Sequence, residues 1–281
     1  MFSNQNKSVI TALVTPFKQD HSIDYHSLFS LLDHQLAHDI DGLVLLGTTG
    51  ESPTLTPHEK IDLIKKTVHR VNHQCPILIG TGSNATAFTV EMTKIAKEEG
   101  ASGALIVTPY YNNPCPEEIF DHYECINDST QFPFMLYHVP SRTNAKLTDS
   151  VVRRILDLKY CIGFKDASVN LKWLETIQTA NDLFLSGDDL SAFNYCQIGG
   201  QGVISVISNA YPKLTKQYIN HGDSTLIDIL QAISCHVNPV PIKYLLKHMR
   251  LIQHDAVRAP LKTLNSNQNK QNIQDLIGEI I

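Results

Sequence analysis

The chain has 281 residues, of which 42% are hydrophobic and 18% charged, a composition typical of a globular protein with a large apolar core. Its formal net charge is −5 and it has no long basic run, which disfavours nucleic-acid binding. Its six scattered cysteines, the lack of an apolar run near the roughly 20 residues that span a bilayer, and a start without a secretion-signal pattern together predict a cytoplasmic protein.

Short apolar runs rich in β-branched residues recur eight times along the chain. In order they are SVITALVTPF, DGLVLLGTTGE, CPILIGTGSN, GALIVTPYY, FPFMLYHVPSR, YCIGFKDA, LFLSGDDL and GVISVISN. The intervals carry helical patterns, such as the segment that begins at a cap-like Ser83 or Asn84 and ends at Gly100. Because apolar strands that alternate with helices form parallel sheets buried on both faces, the sequence predicts an α/β fold, a (β/α)8 TIM barrel.

An open, doubly wound sheet is the structural alternative. The run ILIGTGSNA contains the pattern G-x-G-x-x-A, at Gly80, Gly82 and Ala85, which is found in dinucleotide sites. The next strand, however, ends in proline and tyrosines instead of the expected acidic residue, which favours the barrel. After about residue 210 the strand pattern stops, so we predict a barrel over residues 1–210 and a C-terminal helical region over residues 211–281.

Barrel enzymes carry their reacting groups on the loops that follow the carboxyl ends of the strands. In this sequence those positions supply one lysine, several phenols and hydroxyls, and one arginine; they are Thr48, Thr49, Tyr110, Tyr111, Tyr137, Arg142 and Lys165. A metal site is disfavoured, because only one of the 13 histidines, His138, lies at a strand end and no H-E-x-x-H pattern occurs.

Lys165 follows an apolar strand in the stretch CIGFKDASVN. One interpretation is an ordinary surface lysine, since lysine is seldom buried without a partner. At the apolar top of a barrel, however, its ammonium form would lose solvation, leaving a neutral amine that attacks a ketone to form an imine. Imine chemistry also needs a proton donor, for which Tyr137 is the candidate, and the planar fork of Arg142 suits a carboxylate.

Six motifs occur in a fixed order along the chain: GTTGE (47–51), TPYYN (108–112), YHVPSRT (137–143), GFKDAS (163–168), SGDD (186–189) and GGQGVISV (199–206). With TALVTPF near the start and NPVPIKY at 238–244, they resemble the dihydrodipicolinate synthase family, a branch of the class I aldolases that also contains N-acetylneuraminate lyase. The resemblance covers nearly the whole chain. It implies a homotetramer made from two tight dimers, and no cofactor other than a covalent imine of pyruvate on Lys165.

The resemblance also implies four catalytic residues. Lys165 resembles the lysine that captures pyruvate as a Schiff base, and Tyr137 resembles the proton shuttle placed over the imine. Thr48 would relay protons between Tyr137 and Tyr111, and in this family that second tyrosine reaches in from a neighbouring subunit. Dimer formation is therefore expected to matter for activity.

The implied substrate-binding residues select a branch of the family. Thr49 would hold the pyruvate carboxylate, helped by Ile204, and Gly187 is assigned to the same site. Arg142, in the PSR pattern of the synthase branch, would receive the carboxylate of L-aspartate 4-semialdehyde, giving 4-hydroxy-tetrahydrodipicolinate at the branch point of lysine and diaminopimelate biosynthesis. The alternative is a same-fold aldolase or lyase for another 2-keto acid, of the N-acetylneuraminate or keto-deoxy sugar acid type, but a neutral sugar would leave a buried arginine unpaired.

Some positions depart from the family pattern. His138 stands where asparagine is usual, and Asn144 replaces a glycine in the loop that carries Arg142. The allosteric site of lysine-inhibited members has a histidine and a glutamate that fall at Lys60 and Phe88 here, so that a lysine ligand would be repelled and its amine left without a carboxylate. We therefore expect weak or absent lysine feedback, although the site's other residues are retained: Ser52, Asn84 and Tyr110.

Overall fold

The structure, a computed structural model, describes residues 7–178 and 183–280. Eight parallel strands form a closed barrel in which each strand pairs with the next along the chain and β8 pairs with β1. The strands are β1 (Ser8–Ala12), β2 (Gly42–Leu45), β3 (Ile77–Gly80), β4 (Gly103–Val107), β5 (Phe134–His138), β6 (Cys161–Asp166), β7 (Leu183–Ser186) and β8 (Gly202–Ser205). The predicted TIM barrel is confirmed.

Helices follow the strands and surround the barrel. Those of the described residues are α1 (Tyr25–Ala37), α2 (Pro57–Val71), α3 (Thr86–Glu98), α4 (Pro116–Thr130), α5 (Pro140–Thr143), α6 (Asp149–Leu156), α7 (Leu171–Ile177), α8 (Asp189–Gln197), α9 (Pro212–His221), α10 (Ile227–Ile233), α11 (Val240–His248) and α12 (Asn267–Ile280). None of them, within the described ranges, is long and apolar enough to cross a membrane.

Alternation along the strands creates two separate apolar cores. Side chains on one face fill the barrel interior, and those on the other pack beneath the helices. On β5 and β6 the residues Tyr137 and Lys165 are directly paired across the sheet, so their side chains share the inner face. Phe164 lies in the outer core, and His138 on the outer side of β5 packs its ring against that of Trp173. The sheet register therefore places the tyrosine and the lysine side by side at the carboxyl end of the barrel.

The glycines that suggested a dinucleotide site have a different use. A Cβ atom on Gly80 would lie 2.2 Å from the carbonyl oxygen of Leu46, and one on Gly82 would lie 2.4 Å from the backbone nitrogen of Val107. Both glycines permit close approach of neighbouring strand ends, and the open-sheet alternative is wrong. The predicted cap of α3 is also wrong, because Ala85 occupies the N-cap and the helix begins at Thr86.

After β8 the described residues form helices and no further strand, as predicted. Helix α9 packs against β1, whereas α10 and α11 contact α12. The division at residue 210 stays a prediction.

Candidate active site

The carboxyl ends of the strands surround a cavity of about 370 Å³. Six of the residues predicted from the sequence line it, namely Thr48, Thr49, Tyr137, Arg142, Lys165 and Gly187. The wall opposite the strands comes from the C-terminal helical region, including Asn238 and Ile242. The cavity is therefore shared by the barrel and the helices that follow it.

Lys165 is 7% exposed at this cavity. Its Nζ atom lies 4.2 Å from the centroid of the Tyr137 ring. No carboxylate of the described residues forms an ion pair with it, although burial of an unpaired ammonium is unfavourable. The amine is thus held against a phenol ring and faces a space in which a ketone can reach it.

Gly187 leaves the room that this lysine occupies. A Cβ atom on Gly187 would lie 2.7 Å from the Cβ atom of Ala167 and 3.0 Å from the Cε atom of Lys165. Any larger residue would push against the end of the lysine stem. Gly187 therefore leaves the space that the end of the Lys165 side chain occupies.

The acidic residues around the lysine have structural partners. Asp188 accepts hydrogen bonds from the backbone and the hydroxyl of Ser191, at 2.8 and 2.6 Å, and so caps α8. Asp189 accepts from the backbone nitrogens of Val206 and Ile207, at 2.8 and 3.0 Å. Burial raises the pKa of Asp189. The SGDD motif thus fixes loops around the cavity.

The GTTGE turn is held from both sides. Thr49, which is 3% exposed, accepts a hydrogen bond at Oγ1 from Asn238 Nδ2 over 2.9 Å. Glu51 forms a fully buried ion pair with Lys243 of α11, and its other oxygen accepts from the backbone nitrogen of Arg258 over 2.9 Å. Burial lowers the pKa of the Lys243 ammonium. Contacts from distant parts of the chain therefore fix the turn.

Asn238, Lys243 and Arg258 were missed by sequence reasoning. The first two lie in NPVPIKY, which matched the family without a role for any of its residues. A signal was present, because Lys243 interrupts the apolar run of a helix and a lysine buried on such a face requires a carboxylate partner.

Arg142 is exposed, which corrects the expectation of a buried arginine. It lies on the short helix α5, lines the cavity and forms no ion pair with a described residue. The helix ends at Thr143, and its C-cap residue Asn144 takes the left-handed conformation with φ +54° and donates its backbone N–H to Pro140 O over 2.9 Å. Because asparagine tolerates this conformation better than most residues, the replacement of glycine keeps the turn.

His138 points away from the cavity. Its ring meets that of Trp173 edge to face, with centroids 5.3 Å apart. Burial lowers its pKa to about 4. The departure from asparagine at this position therefore concerns the outer core and not the reacting groups.

Two predicted residues do not line the cavity. Ile204 is buried beneath it in the barrel interior, in the same cluster as Tyr137. Tyr111 is 91% exposed, with φ +71°, on the loop after β4. The proton relay through Tyr111 is consequently not formed within this single chain, and its role stays a prediction about an assembly.

A second cavity of about 380 Å³ adjoins the first. The two share Thr48, Tyr137, Val139 and Arg142. Four residues assigned to the degenerate allosteric site line it, Ser52, Lys60, Phe88 and Tyr110, whereas Asn84 does not. Nζ of Lys60 lies 5.4 Å from the centroid of the Phe88 ring, and burial lowers the pKa of Lys60. The described residues that line this cavity include no aspartate or glutamate.

A barrel of eight parallel strands has the features of a lysine-dependent aldolase when a buried lysine lies on the inner face of β6 beside a tyrosine of β5, without an ion-pair partner among the described residues. The sequence model of the Dihydrodipicolinate synthetase family matches residues 5–280. The chain belongs to this family.

Comparison with individual relatives supports the same family. The chain is 38% identical over 267 residues to the 4-hydroxy-tetrahydrodipicolinate synthase of Coxiella burnetii, covering 91% of this chain and 92% of the relative. The same enzyme from Methylacidiphilum fumariolicum SolV superposes with a TM-score of 0.92 at 34% identity, over 98% of this chain and 96% of the other. A chloride-inhibited dihydrodipicolinate synthase from Acinetobacter baumannii complexed with pyruvate gives a TM-score of 0.92 at 31% identity, over 98% of both chains.

Proposed function

We propose that this chain condenses pyruvate with L-aspartate 4-semialdehyde to give 4-hydroxy-tetrahydrodipicolinate, at the branch point of lysine and diaminopimelate biosynthesis. The observation that carries the proposal is the buried Lys165 amine, which lies against Tyr137, has no carboxylate partner among the described residues and faces a cavity with Arg142 at its wall. The shared name of its relatives and the pyruvate complex of one of them support the substrates.

The chemistry follows from the amine. Lys165 attacks the ketone carbon of pyruvate and water leaves, which gives an imine; a methyl proton is then lost and an enamine forms. The enamine carbon attacks the aldehyde carbon, and the amino group of that substrate then attacks the imine carbon and displaces Lys165 as the ring closes. The imine is the electron sink, so the reaction uses no separate cofactor. Tyr137, the phenol beside Nζ, transfers the protons.

Binding of the two carboxylates falls to two places in the cavity. The Thr49 hydroxyl and the backbone N–H groups of the GTTGE turn suit the small carboxylate of pyruvate. Arg142, unpaired and exposed at the wall of the cavity, suits the carboxylate of the aldehyde substrate as it enters. Ile204 supports this site from below, and Gly187 leaves the space in which Lys165 reacts.

The active unit is proposed to be a dimer within a homotetramer. Tyr111 is 91% exposed in the single subunit, so its ring and hydroxyl are accessible to a neighbouring copy of the chain. In the dimer Tyr111 would enter the cavity of the partner and complete the relay through Thr48. The cytoplasm is the proposed location, because the six cysteines are scattered along a chain that is large enough to need no disulfide framework.

Feedback by lysine is proposed to be weak or absent. Lys60 and Phe88 place a cation and an apolar ring where a lysine ligand would need a carboxylate. Ser52 and Tyr110 still line that cavity, but hydroxyls alone do not compensate for the repulsion between two ammonium groups.

Borohydride reduction in the presence of pyruvate tests the mechanism. We expect one reduced pyruvate per subunit, mapped by mass spectrometry to Lys165. An adduct on another lysine, or none, would overturn the assignment. Substrate assays then separate the synthase from the alternative. We expect the protein to consume pyruvate together with L-aspartate 4-semialdehyde and not to cleave N-acetylneuraminate or a keto-deoxy sugar acid. The opposite result would favour the lyase branch.

A further inference from the structure

The side chain of Asn238 reaches the cavity from outside the barrel. It lines the cavity with Lys165, and its Nδ2 atom donates to Oγ1 of Thr49 over 2.9 Å. We propose that Asn238 is a positioning residue that directs the Thr49 hydroxyl proton toward the substrate carboxylate. The inference rests on the proposed function, in which Thr49 binds pyruvate.

The argument depends on the direction of one hydrogen bond. A hydroxyl has a single proton and two acceptor lone pairs. Because Thr49 Oγ1 accepts from Asn238, its own proton is not used in that contact and is free for an acceptor in the cavity. A carboxylate has no proton to donate, so a hydroxyl in this orientation is the complement that it requires.

The oxygen atom of the Asn238 amide supports a functional role for the hydrogen bond to Thr49. Oδ1 of Asn238 is buried and has no hydrogen-bond partner among the described residues. An unsatisfied buried acceptor costs stability, and an apolar side chain at this position would avoid that cost. The bond to Thr49 is the one compensating interaction of the side chain in the described structure, which points to a functional reason for an asparagine.

The neighbouring contacts keep the amide in place. Asn238 lies two residues before the start of α11, and Lys243 of that helix forms the buried ion pair with Glu51, two residues after Thr49. One segment of the C-terminal region therefore holds the GTTGE turn at two points, one through a charge and one through a directed hydrogen bond. The helical region beyond the strands thus sets the geometry of a residue that binds substrate.

Two substitutions distinguish orientation from packing. Asn238→Asp keeps the shape of the side chain, but an ionised aspartate can only accept hydrogen bonds, so the Thr49 hydroxyl proton would turn toward it. Asn238→Ala removes both the hydrogen-bond donor and most of the side-chain volume. We expect the pyruvate KM to rise about 10- to 100-fold in Asn238→Asp, the range of one charge-assisted hydrogen bond, and less in Asn238→Ala. The defect of the aspartate variant should grow as pH rises, since protonated aspartate donates as asparagine does. If the alanine variant is the worse of the two, the role is packing and the proposal fails.

A double-mutant cycle with Thr49→Val completes the test. In the Thr49→Val background, Asn238→Asp should raise the pyruvate KM only slightly further. An undiminished rise would mean direct repulsion of pyruvate by the new carboxylate and would overturn the positioning role. The pyruvate concentration that half-saturates borohydride trapping gives the same comparison without turnover. If the aspartate variant does not fold, Asn238→Ala replaces it in the double-mutant cycle. Absence of trapping in the unmodified protein would count against the proposed function, whereas equal half-saturation in all variants would count against this inference alone.

Discussion

Two adjoining cavities in this protein each contain a lysine beside an aromatic ring. In the first, Lys165 extends inward from a strand and lies 4.2 Å from the ring of Tyr137. In the second, Lys60 extends from helix α2 and lies 5.4 Å from the ring of Phe88. The aromatic neighbour of one lysine is a phenol that can transfer protons, and that of the other has no polar group. Similar contacts between a lysine and a ring are therefore proposed to serve different ends, and what surrounds the amine decides the chemistry.

The surroundings of Lys165 suit the attack of an amine on a carbonyl substrate, and those of Lys60 do not. Beside Lys165 the turn that carries Thr49 is fixed by buried polar contacts, and Gly187 gives the amine space. Around Lys60 the lining consists of hydroxyl-bearing and apolar residues together with Arg142, and none of the described residues that line it carries a carboxylate. We therefore propose covalent chemistry for Lys165 and loss of ligand affinity at Lys60.

Replacement of each lysine by methionine gives the largest expected contrast. Lys165→Met should form no reducible adduct with pyruvate and lose at least about a thousandfold in activity, because the covalent route no longer exists. Lys60→Met should retain both the adduct and the activity within a fewfold. The measurements are adduct mass and initial rate. An adduct in Lys165→Met would remove the basis of the comparison.

A glycine in each cavity sharpens the contrast between catalysis and stability. Gly187→Ala would press on Lys165, and we expect kcat/KM to fall about 100-fold, since a displacement near 1 Å can cost that much. Gly82→Ala would instead clash with the backbone nitrogen of Val107, 2.4 Å from the new Cβ, and should lower the free energy of unfolding by about 1–3 kcal/mol.

Kinetics per folded molecule and thermal melts separate these two effects. Gly187→Ala should lose kcat/KM per folded molecule in addition to some stability, because its Cβ would also lie 2.7 Å from the Cβ atom of Ala167, whereas Gly82→Ala should lose stability and keep its kcat/KM. A large stability loss in Gly187→Ala with normal kinetics would show that this glycine serves the backbone and not the nucleophile.

The second cavity should accept a lysine ligand once its charges are changed. The double substitution Lys60→His and Phe88→Glu removes an ammonium and adds a carboxylate, which should strengthen lysine binding at least about tenfold. Inhibition titrations with lysine measure this, with Lys60→His alone as the control for lost repulsion. Strong inhibition of the unmodified protein, or none in the double variant, would contradict the assignment of this cavity.

Much of the barrel was predictable because its strands are buried on both faces. Such strands appear in the sequence as continuous apolar runs, and the order of parallel strands then places their ends together. Thr48, Tyr137 and Lys165 were located in this way. The start of α3 was misjudged, because Ser83 and Asn84 resemble caps but lie in the loop before it.

The contacts across the cavity could not be predicted. Asn238 and Thr49 are 189 positions apart, and Glu51 and Lys243 are 192 apart. Pairing at such separation depends on how the C-terminal helices pack on the barrel, which local patterns do not encode. The exposure of Arg142 was misjudged for a related reason, because a role toward an anion does not require burial when the group stands at an entrance.

The smallest expected effect concerns the difference between the two faces of strand β5. Tyr137 faces the cavity, whereas the next residue, His138, lies in the outer core, where burial lowers its pKa to about 4. Since the ordinary value is near 6.5, the unfolded chain takes up a proton at a higher pH than the folded one. Stability is complete above about pH 6.5 and falls as the pH decreases toward 4.

His138→Asn removes this linkage and leaves the cavity untouched. Between pH 7 and pH 4.5 we expect the variant to lose about 2 kcal/mol less unfolding free energy than the unmodified protein. Urea unfolding at both pH values measures the difference. Activity at pH 8 should stay near that of the unmodified protein, because His138 lies on the far side of the strand from the reacting groups. A large drop in kcat with unchanged acid stability would instead connect the outer face of β5 to catalysis, and the separation between the two sides of the strand would not hold.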